Sequence, residues 1–142
     1  MDLTEAFAFA RDRRQGVLAT IRANGRPQLS NIMFVPGPGD TLVISLTDDR
    51  AKTKNLRRDP RASLYVVGDN FYQYVVLEAA AELSPVAADP HDDTVEALVA
   101  YYRAGQGEHP DWDEYRAAMV ADRRLVLTLR PERAYGMGAG AG

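Results

Sequence analysis

The sequence contains no cysteine, which excludes disulfide bonds, thiolate metal sites and a cysteine nucleophile. Its two histidines, His91 and His109, each lie beside a proline in a polar segment, which favours surface or capping roles over metal ligation. No apolar run approaches the roughly 18–20 residues of a membrane span. The first five residues include two acids and no apolar signal-peptide core. We therefore expect a cytoplasmic protein with no membrane segment.

Recognisable motifs for hydrolysis, metal binding and dinucleotide binding are also missing. No serine lies in a G-x-S-x-G sequence, and neither histidine is placed to serve one. The glycines of Gly136–Gly140 imitate a dinucleotide fingerprint, but they lie at the chain end with no helix after them. No group of potential metal ligands has suitable spacing. These observations leave binding functions, or catalysis by a cofactor that brings its own chemistry.

The composition is that of an ordinary globular protein. The 142 residues are 46% hydrophobic and 26% charged, which suits one domain with a sizeable core. The formal net charge is −3, which disfavours general nucleic-acid binding.

Basic residues are concentrated in one segment, Arg50–Arg61. It carries six Lys or Arg and one acid, a local charge of +5, so the other 130 residues carry −8. Asp48 and Asp49 are suitable N-caps for a helix here, and Pro60 would end it. A basic helix on an acidic protein is either an anion site or a solvated surface.

The helical spacing separates Lys52 from the other basic residues. At about 100° per residue, Arg50, Lys54, Arg57 and Arg61 share one face, which is typical of a solvated stripe. Lys52 falls roughly opposite, on the side of the apolar Leu56. A lysine there needs an anion or a partner, because a buried unpaired ammonium is costly. Backbone N–H groups at the same helix start could join it in holding a phosphate.

The remaining pattern predicts a mainly β protein with inserted helices. Helices are expected at 4–14, 88–104 and 111–122, and Asn24-Gly25 is a strong hairpin signal. Six strands are expected, and antiparallel strands of this length readily close into a small barrel. Residues 1–135 would form this single domain, and 136–142 would be a disordered Gly/Ala tail. The strands are placed at 16–22, 27–35, 41–46, 62–67, 72–83 and 124–130, with 132–137 extending the last one.

Polar and aromatic side chains lie on two of these strands. Gln28 and Ser30 share one face of the second strand and Asn31 takes the other, so these groups either face solvent or line a pocket. Tyr72 and Tyr74 share a face of the fifth strand. They are core or interface residues, or they stack on a flat ring.

Three segments together resemble a known family, the split β-barrel flavin and deazaflavin oxidoreductases. This is the pyridoxamine 5′-phosphate oxidase-like superfamily, with the FMN-binding split barrel as its fold. Within it, the sequence is most similar to the actinobacterial class that uses coenzyme F420, a deazaflavin. The resemblance covers about residues 15 to 135. The segments are Gly16–Thr20, Gly25–Asn31 and Arg50–Ser63, supported by Asp92–Leu98, Trp112–Asp113 and Asp122–Arg124.

The resemblance implies a homodimer with the cofactor at the subunit interface. It implies that Arg50 and Lys52 hold the cofactor phosphate, assisted by the backbone of Ala51 and Thr53, with Asn55 a weaker candidate. The other implied contacts are Ser45 near the ribityl chain, Gln28, Ser30 and Asn31 near the ring and polyol, and the aromatic Tyr72 and Tyr74.

The implied activity is hydride transfer from reduced coenzyme F420 to a small unsaturated substrate, with bound water or Tyr74 as the proton donor. Charge alone adds an inference of our own. The outer residues Lys54, Arg57, Arg58 and Arg61 could attract the oligoglutamate tail of the coenzyme.

Three other functions stay open. The same fold could bind FMN as an oxidase or reductase, since FMN also needs a phosphate site. The protein could carry a deazaflavin without turnover. A nucleic-acid contact is the third alternative, disfavoured because the chain is acidic and the basic helix has no interleaved aromatics.

Overall fold

The structure is a computed structural model in which residues 1–137 are described. It has a mainly β architecture with four helices in that range. The helices are α1 (Leu3–Arg11), α2 (Ala51–Arg58), α3 (Asp93–Gln106) and α4 (Trp112–Ala121). The strands are β1 (Gln15–Ile21), β2 (Pro27–Met33), β3 (Val35–Pro36), β4 (Leu42–Thr47), β5 (Arg61–Val67), β6 (Tyr74–Leu83) and β7 (Arg124–Met137).

The sheet has seven strands, so the prediction of six was wrong by one. The predicted strand 27–35 divides at Phe34, whose side chain is fully buried and whose amide donates to the Arg14 carbonyl. The part before Phe34 pairs with β1, and the part after it pairs with β4. A single apolar residue that turns inward therefore splits one predicted strand into two.

All seven strands form one antiparallel sheet in the order β2-β1-β5-β6-β7-β4-β3. The outermost strands, β2 and β3, are separated in sequence only by Phe34. The sheet must therefore curl until its two edges approach each other. Within residues 1–137 no ladder joins these edges, so the sheet is a curled half-barrel rather than a fully closed barrel.

The last strand, β7, runs unbroken through Pro131 and pairs with both β6 and β4. A bulge at Glu132, between Pro131 and Arg133, accommodates the proline, which cannot donate to a ladder. Gly136 and Met137, assigned from the sequence to the tail, continue this strand opposite β6. Residues 138–142, predicted to be a disordered tail, lie outside the described residues.

The hydrophobic core fills the inside of the curled sheet. Inward-facing residues from several strands form this core, among them Leu18, Leu64, Leu77 and Leu127, all at most 1% exposed. Helix α1 closes one side of this core with Ala6, Phe7 and Ala10, and α2 contributes Leu56.

The outer face of the sheet has two different parts. On β4 and β7, Val43 and Val126 pack against α3 and α4 in a second apolar cluster. On β1, β2 and β5, the outer face is not covered by a helix of the described chain. Within residues 1–137, no helix is both long and apolar enough to cross a membrane.

Candidate anion and cofactor site

The start of α2 is the centre of the candidate site. The sequence predicted Asp48 or Asp49 as its N-cap, and that was wrong: the N-cap is Arg50, with no side-chain capping bond. The Asp48 carboxylate instead binds Arg57 at 2.6 Å and Arg123 at 3.0 Å, and hydrogen bonds from Arg123 and then Arg57 lower its pKa. The first-turn amides of α2 are therefore left without a side-chain acceptor.

Two backbone amides at this helix start remain available. Thr53 and Lys54 both donate to the Arg50 carbonyl, at 3.1 and 3.2 Å, so the Thr53 amide proposed from the resemblance is already engaged. The amides of Ala51 and Lys52 have no such acceptor among the described residues preceding the helix. The Thr53 hydroxyl donates to the Thr47 carbonyl at 2.7 Å, which fixes α2 to the end of β4.

Lys52 is partly buried next to other cations. Burial, followed by the charges of Arg50 and Arg124, lowers the pKa of Lys52 below its usual value of 10.5. Within residues 1–137, Lys52 forms no ion pair with an acid. The neighbouring positive charges repel one another, and a bound anion would relieve this repulsion. The sequence-based view that Lys52 needs an anion stays a prediction.

Arg124 is a member of this cluster that sequence analysis did not assign to the site. It begins β7 opposite Thr47, and its Nη1 donates to Ser45 Oγ at 3.3 Å. Its Nε is buried and has no hydrogen-bond partner in the described chain. The available signal was Arg124 itself, a charged residue at the start of an apolar strand.

Tyr101 of α3 covers the same corner of the fold. Its hydroxyl donates to the Met33 carbonyl at 3.0 Å, at the end of β2, and its burial raises its pKa. The charge of Arg124 and the backbone of Ser45 oppose this rise, so both lie close to the phenol. The site thus lies where α2, α3, β4 and β7 meet beside the open edge of the sheet.

Two of the predicted polar residues, Asn55 and Gln28, form a hydrogen bond with each other instead of facing an open pocket. Asn55 is 7% exposed, and its Nδ2 donates to Gln28 Oε1 at 2.8 Å and to Thr20 Oγ1 at 3.1 Å. Arg58 donates to Asn55 Oδ1 at 3.0 Å. This network ties α2 to β1 and β2. Ser30 lies on the same inner face as Gln28, whereas Asn31 is exposed on the outer face.

The stripe that we expected to attract an oligoglutamate tail is mostly engaged within the chain. Arg57 pairs with Asp48, and Arg61 pairs with Asp59 at 2.8 Å. Arg58 donates to the Ile21 carbonyl at 2.7 Å. Of the four residues, Lys54 alone forms no side-chain bond within residues 1–137, so the stripe is a weaker anion surface than its sequence suggested.

A shallow cavity of about 410 Å³ lies on the outer face of β1, β2 and β5. Mostly apolar side chains line it, together with two amide side chains. The lining includes Gln15, Val17, Asn31, Met33, Tyr65 and Val67. Met33 and Asn31 come from β2, the edge strand to which Tyr101 of the cation corner is bonded. The cavity therefore adjoins the corner that holds the cations.

The two predicted tyrosines do not share a strand. Tyr74 begins β6 and stacks on Tyr65, with ring centroids 5.4 Å apart. Tyr72 lies in the turn before β6, is 72% exposed and contacts Phe71 edge to face. The prediction that a strand begins at Tyr72 was wrong, because Asn70 Oδ1 accepts from the Tyr72 amide and turns the chain there.

The family model for pyridoxamine 5′-phosphate oxidase matches residues 3–138. The chain belongs to this family. In this member of the family, the residues described above lie on a curled seven-stranded sheet and on α2, the helix that follows β4 at the open edge of the sheet.

Solved structures share this fold at low sequence identity. A protein described as F420 reductase is 24% identical, with a TM-score of 0.63, over 90% of this chain and 94% of its own. A conserved hypothetical protein from Mycobacterium tuberculosis is 24% identical, with a TM-score of 0.70, over 94% and 82%. The heme storage protein HutZ from Vibrio cholerae is 19% identical, with a TM-score of 0.67, over 96% and 95%. Similarity at this level establishes the common fold.

Proposed function

We propose that this protein is an oxidoreductase that binds coenzyme F420 and transfers a hydride from its reduced form to a small unsaturated substrate. One observation carries the proposal: among residues 1–137, Arg50 and Lys52 form no ion pair with an acid, and they lie at an uncapped helix start in a member of this family. The fold shared with a protein described as F420 reductase supports the choice of cofactor.

The residues present fit a phosphate at the start of α2. Lys52 and Arg50 supply positive charge, and the free amides of Ala51 and Lys52 add donors at the positive end of the helix dipole. Burial, followed by the charges of Arg50 and Arg124, lowers the pKa of Lys52, and a bound anion would offset those charges. Binding should therefore raise the pKa of Lys52 towards its usual value.

The apolar cavity beside the cation corner fits a flat ring system. Val17, Met33 and Tyr65 offer apolar contact, and Asn31 offers an amide for a ring carbonyl or a polyol hydroxyl. When bound, the reduced deazaflavin supplies the hydride. The protein would neutralise the phosphate, orient the ring and exclude water from its face. Tyr74, held against Tyr65, is our candidate for delivering the proton, with bound water as the alternative.

We extend the proposal to a homodimer that would complete the site. The outer face of the sheet exposes several large apolar side chains, with Leu29 at 66% and Tyr135 at 51%. Exposed apolar residues on an uncovered sheet face are typical of an interaction surface. A second copy on this face would cover the shallow cavity. Sedimentation of the wild type and of Leu29→Glu tests this, since a dimer should dissociate in the variant and a monomer should not change.

HutZ, one of the structural relatives, is described as a heme storage protein. The positions of the two histidines bear on whether heme could bind to this protein. His91 lies beside Arg116 on the α3–α4 side, and His109 packs among Tyr102 and Trp112. Neither lines the cavity on β1, β2 and β5. The common histidine ligation of heme iron is therefore not offered there, and we favour a phosphate-bearing cofactor.

The deciding experiment is a titration of the purified protein with coenzyme F420 and with FMN, in parallel, followed by cofactor fluorescence. Selective binding of F420 supports the proposal. Preference for FMN would replace it with a flavin oxidase or reductase. Binding of neither would refute the cofactor site. Lys52→Gln should weaken binding strongly. Lys54→Gln is the matched comparison and should cost much less, because Lys54 is an exposed lysine on the same helix that could contact only the oligoglutamate tail.

A second measurement separates an enzyme from a carrier. Reduced F420 is mixed with the protein and a set of activated alkenes and imines, and the return of the oxidised absorbance is followed. Turnover above the protein-free rate supports the oxidoreductase. Tight binding without turnover of any substrate in the set would favour the carrier.

A further inference from the structure

Arg124 is the most unusual charged residue of the described chain outside the residues already assigned. Its Nε is buried without a partner, and its bond to Ser45 Oγ is long at 3.3 Å. A buried guanidinium donor without an acceptor is costly, since the group gives up its water and receives nothing in return. Such an atom requires an explanation.

The neighbours of Arg124 do not supply the missing acceptor. The nearby acid Asp48 is already bonded to Arg57 and Arg123, at 2.6 and 3.0 Å. The phenols of Tyr101 and Tyr115 lie near Arg124, but they donate to the carbonyls of Met33 and Leu98. The remaining charged neighbours, Arg50 and Lys52, are cations.

The position of Arg124 on the sheet directs it towards the start of α2. It lies opposite Thr47, the last residue of β4, and three residues later the chain reaches the N-cap of α2. Ser45 and Arg124 share the outer face of the sheet beneath α3. The guanidinium is bonded to Ser45, and it lies close enough to Lys52 for its charge to contribute to the lowered pKa of that lysine.

We propose that Arg124 is a third cationic ligand of the anion bound at the start of α2, contributed by β7 and held in place by Ser45. The inference rests on the proposed function and adds a residue to that site. It gives the orphan Nε a partner. It also explains why three cations meet without an acid: the site is unsatisfied until a phosphate group enters it.

The test compares each ligand with its form that lacks phosphate. The pairs are FMN with riboflavin, and the 5′-phosphate of the deazariboflavin core of coenzyme F420 with that core itself, so that the members of each pair differ only in the phosphate. The ratio of the two dissociation constants within a pair reports contacts to the phosphate and cancels contacts to the ring. Replacing Arg124 by Met keeps an unbranched apolar stem but removes the charge and every donor. Arg130→Gln is the control, because Arg130 lies on the same strand, about 20 Å away, and pairs with Glu82.

We expect Arg124→Met to weaken the phosphorylated ligand by about tenfold to a hundredfold, as for loss of a charged hydrogen bond, and to leave the phosphate-free ligand unchanged. Arg124→Lys should restore part of the preference, because it returns the charge without the planar fork. Arg130→Gln should match the wild type. The melting temperature of unliganded Arg124→Met should equal or exceed that of the wild type, because a repelling charge has gone.

The outcomes separate the two proposals. If the wild type binds the phosphorylated and phosphate-free forms equally, the anion site itself is refuted, and Arg124 with it. If the wild type shows the preference and Arg124→Met keeps it in full, only the role of Arg124 is refuted. If Arg124→Met and Arg124→Lys each weaken binding of the phosphorylated and the phosphate-free ligand equally, Arg124 stabilises the fold and does not bind the anion.

Discussion

The helix starts of this protein are of two kinds. Helices α1, α3 and α4 each begin with an aspartate N-cap: Asp2 accepts from Thr4 N at 2.7 Å, Asp92 from Val95 N at 2.8 Å, and Asp111 from Glu114 N at 3.1 Å. Each also has an acid in its first turn. Helix α2 begins with Arg50, with no cap and no acid in its first turn.

The start of α2 lacks the stabilising cap of the other three helices, which is what the proposed anion site requires. An aspartate cap satisfies orphan amides and complements the helix dipole, and each cap contributes about 1 kcal/mol. The start of α2 has neither feature: its amides have no side-chain cap, and cations lie at the positive end of the helix dipole. A local rule that is broken in one helix and kept in three others is what we expect at a binding position, and it supports the proposed site.

The largest effect is expected from charge reversal at the uncapped helix start. Lys52→Glu should weaken binding of a phosphate-bearing cofactor by at least about a hundredfold, or about 3 kcal/mol, because a charged contact becomes a repulsion. Fluorescence titration measures this. Lys54→Glu, which changes the same charge on an exposed neighbour, should cost much less, and equal losses in the two variants would mean that only net charge matters.

A second change gives α2 the aspartate N-cap that α1, α3 and α4 have. Arg50→Asp should stabilise the unliganded protein by about 1 kcal/mol, because it supplies an N-cap and removes a charge that repels Lys52. The same change should weaken the phosphorylated cofactor by about tenfold or more. Urea denaturation and titration measure the two effects. A loss of both stability and affinity would show that Arg50 has a structural role.

A third change tests the polar network behind α2. Asn55→Ala should lower the free energy of unfolding by about 2 kcal/mol, because Thr20, Gln28 and Arg58 each lose a hydrogen-bond partner. Chemical denaturation measures the change, and Lys54→Ala on the exposed face should stay within about 0.5 kcal/mol of the wild type. Unchanged cofactor affinity is expected. A large loss of affinity would return Asn55 to the cofactor contacts that the resemblance implied.

Much of the fold could be predicted from local patterns. The Asn24-Gly25 hairpin is confirmed by the positive φ of Gly25 and by the pairing of β1 with β2. The alternation of Leu42, Ile44 and Leu46 likewise marked a strand with one buried face. The division of β2 from β3 could not be predicted, because it depends on Phe34 entering a core formed by strands distant in sequence.

Less of the site than of the fold could be predicted from the sequence, for a related reason. Lys52 could be singled out because helical spacing placed it apart from the solvated stripe, and its surroundings agree with that reading. Arg124 could not, because it is 72 residues away and reaches α2 only through the pairing of β7 with β4. Charge counting also overstated the outer stripe, since the ion pairs of Arg57 and Arg61 depend on side-chain geometry.

The smallest effect is expected from removing the aspartate N-cap of a capped helix, α3. Asp92→Ala should destabilise the protein by about 1 kcal/mol at neutral pH, because the amides of Val95, Ala88 and Asp89 lose their acceptor. Hydrogen bonds from the Ala88 and Val95 amides lower the pKa of Asp92 below its ordinary 3.8. Its electrostatic contribution is therefore complete above pH 3.8 and is lost as the pH falls through the lower folded-state value. Thermal denaturation between pH 2 and 7 should show the wild type approaching Asp92→Ala in acid. Asp92→Asn, which keeps a capping side chain without the charge, should lie between them and lack this pH dependence, whereas an equal gap between wild type and Asp92→Ala at every pH would assign the contribution to capping geometry alone.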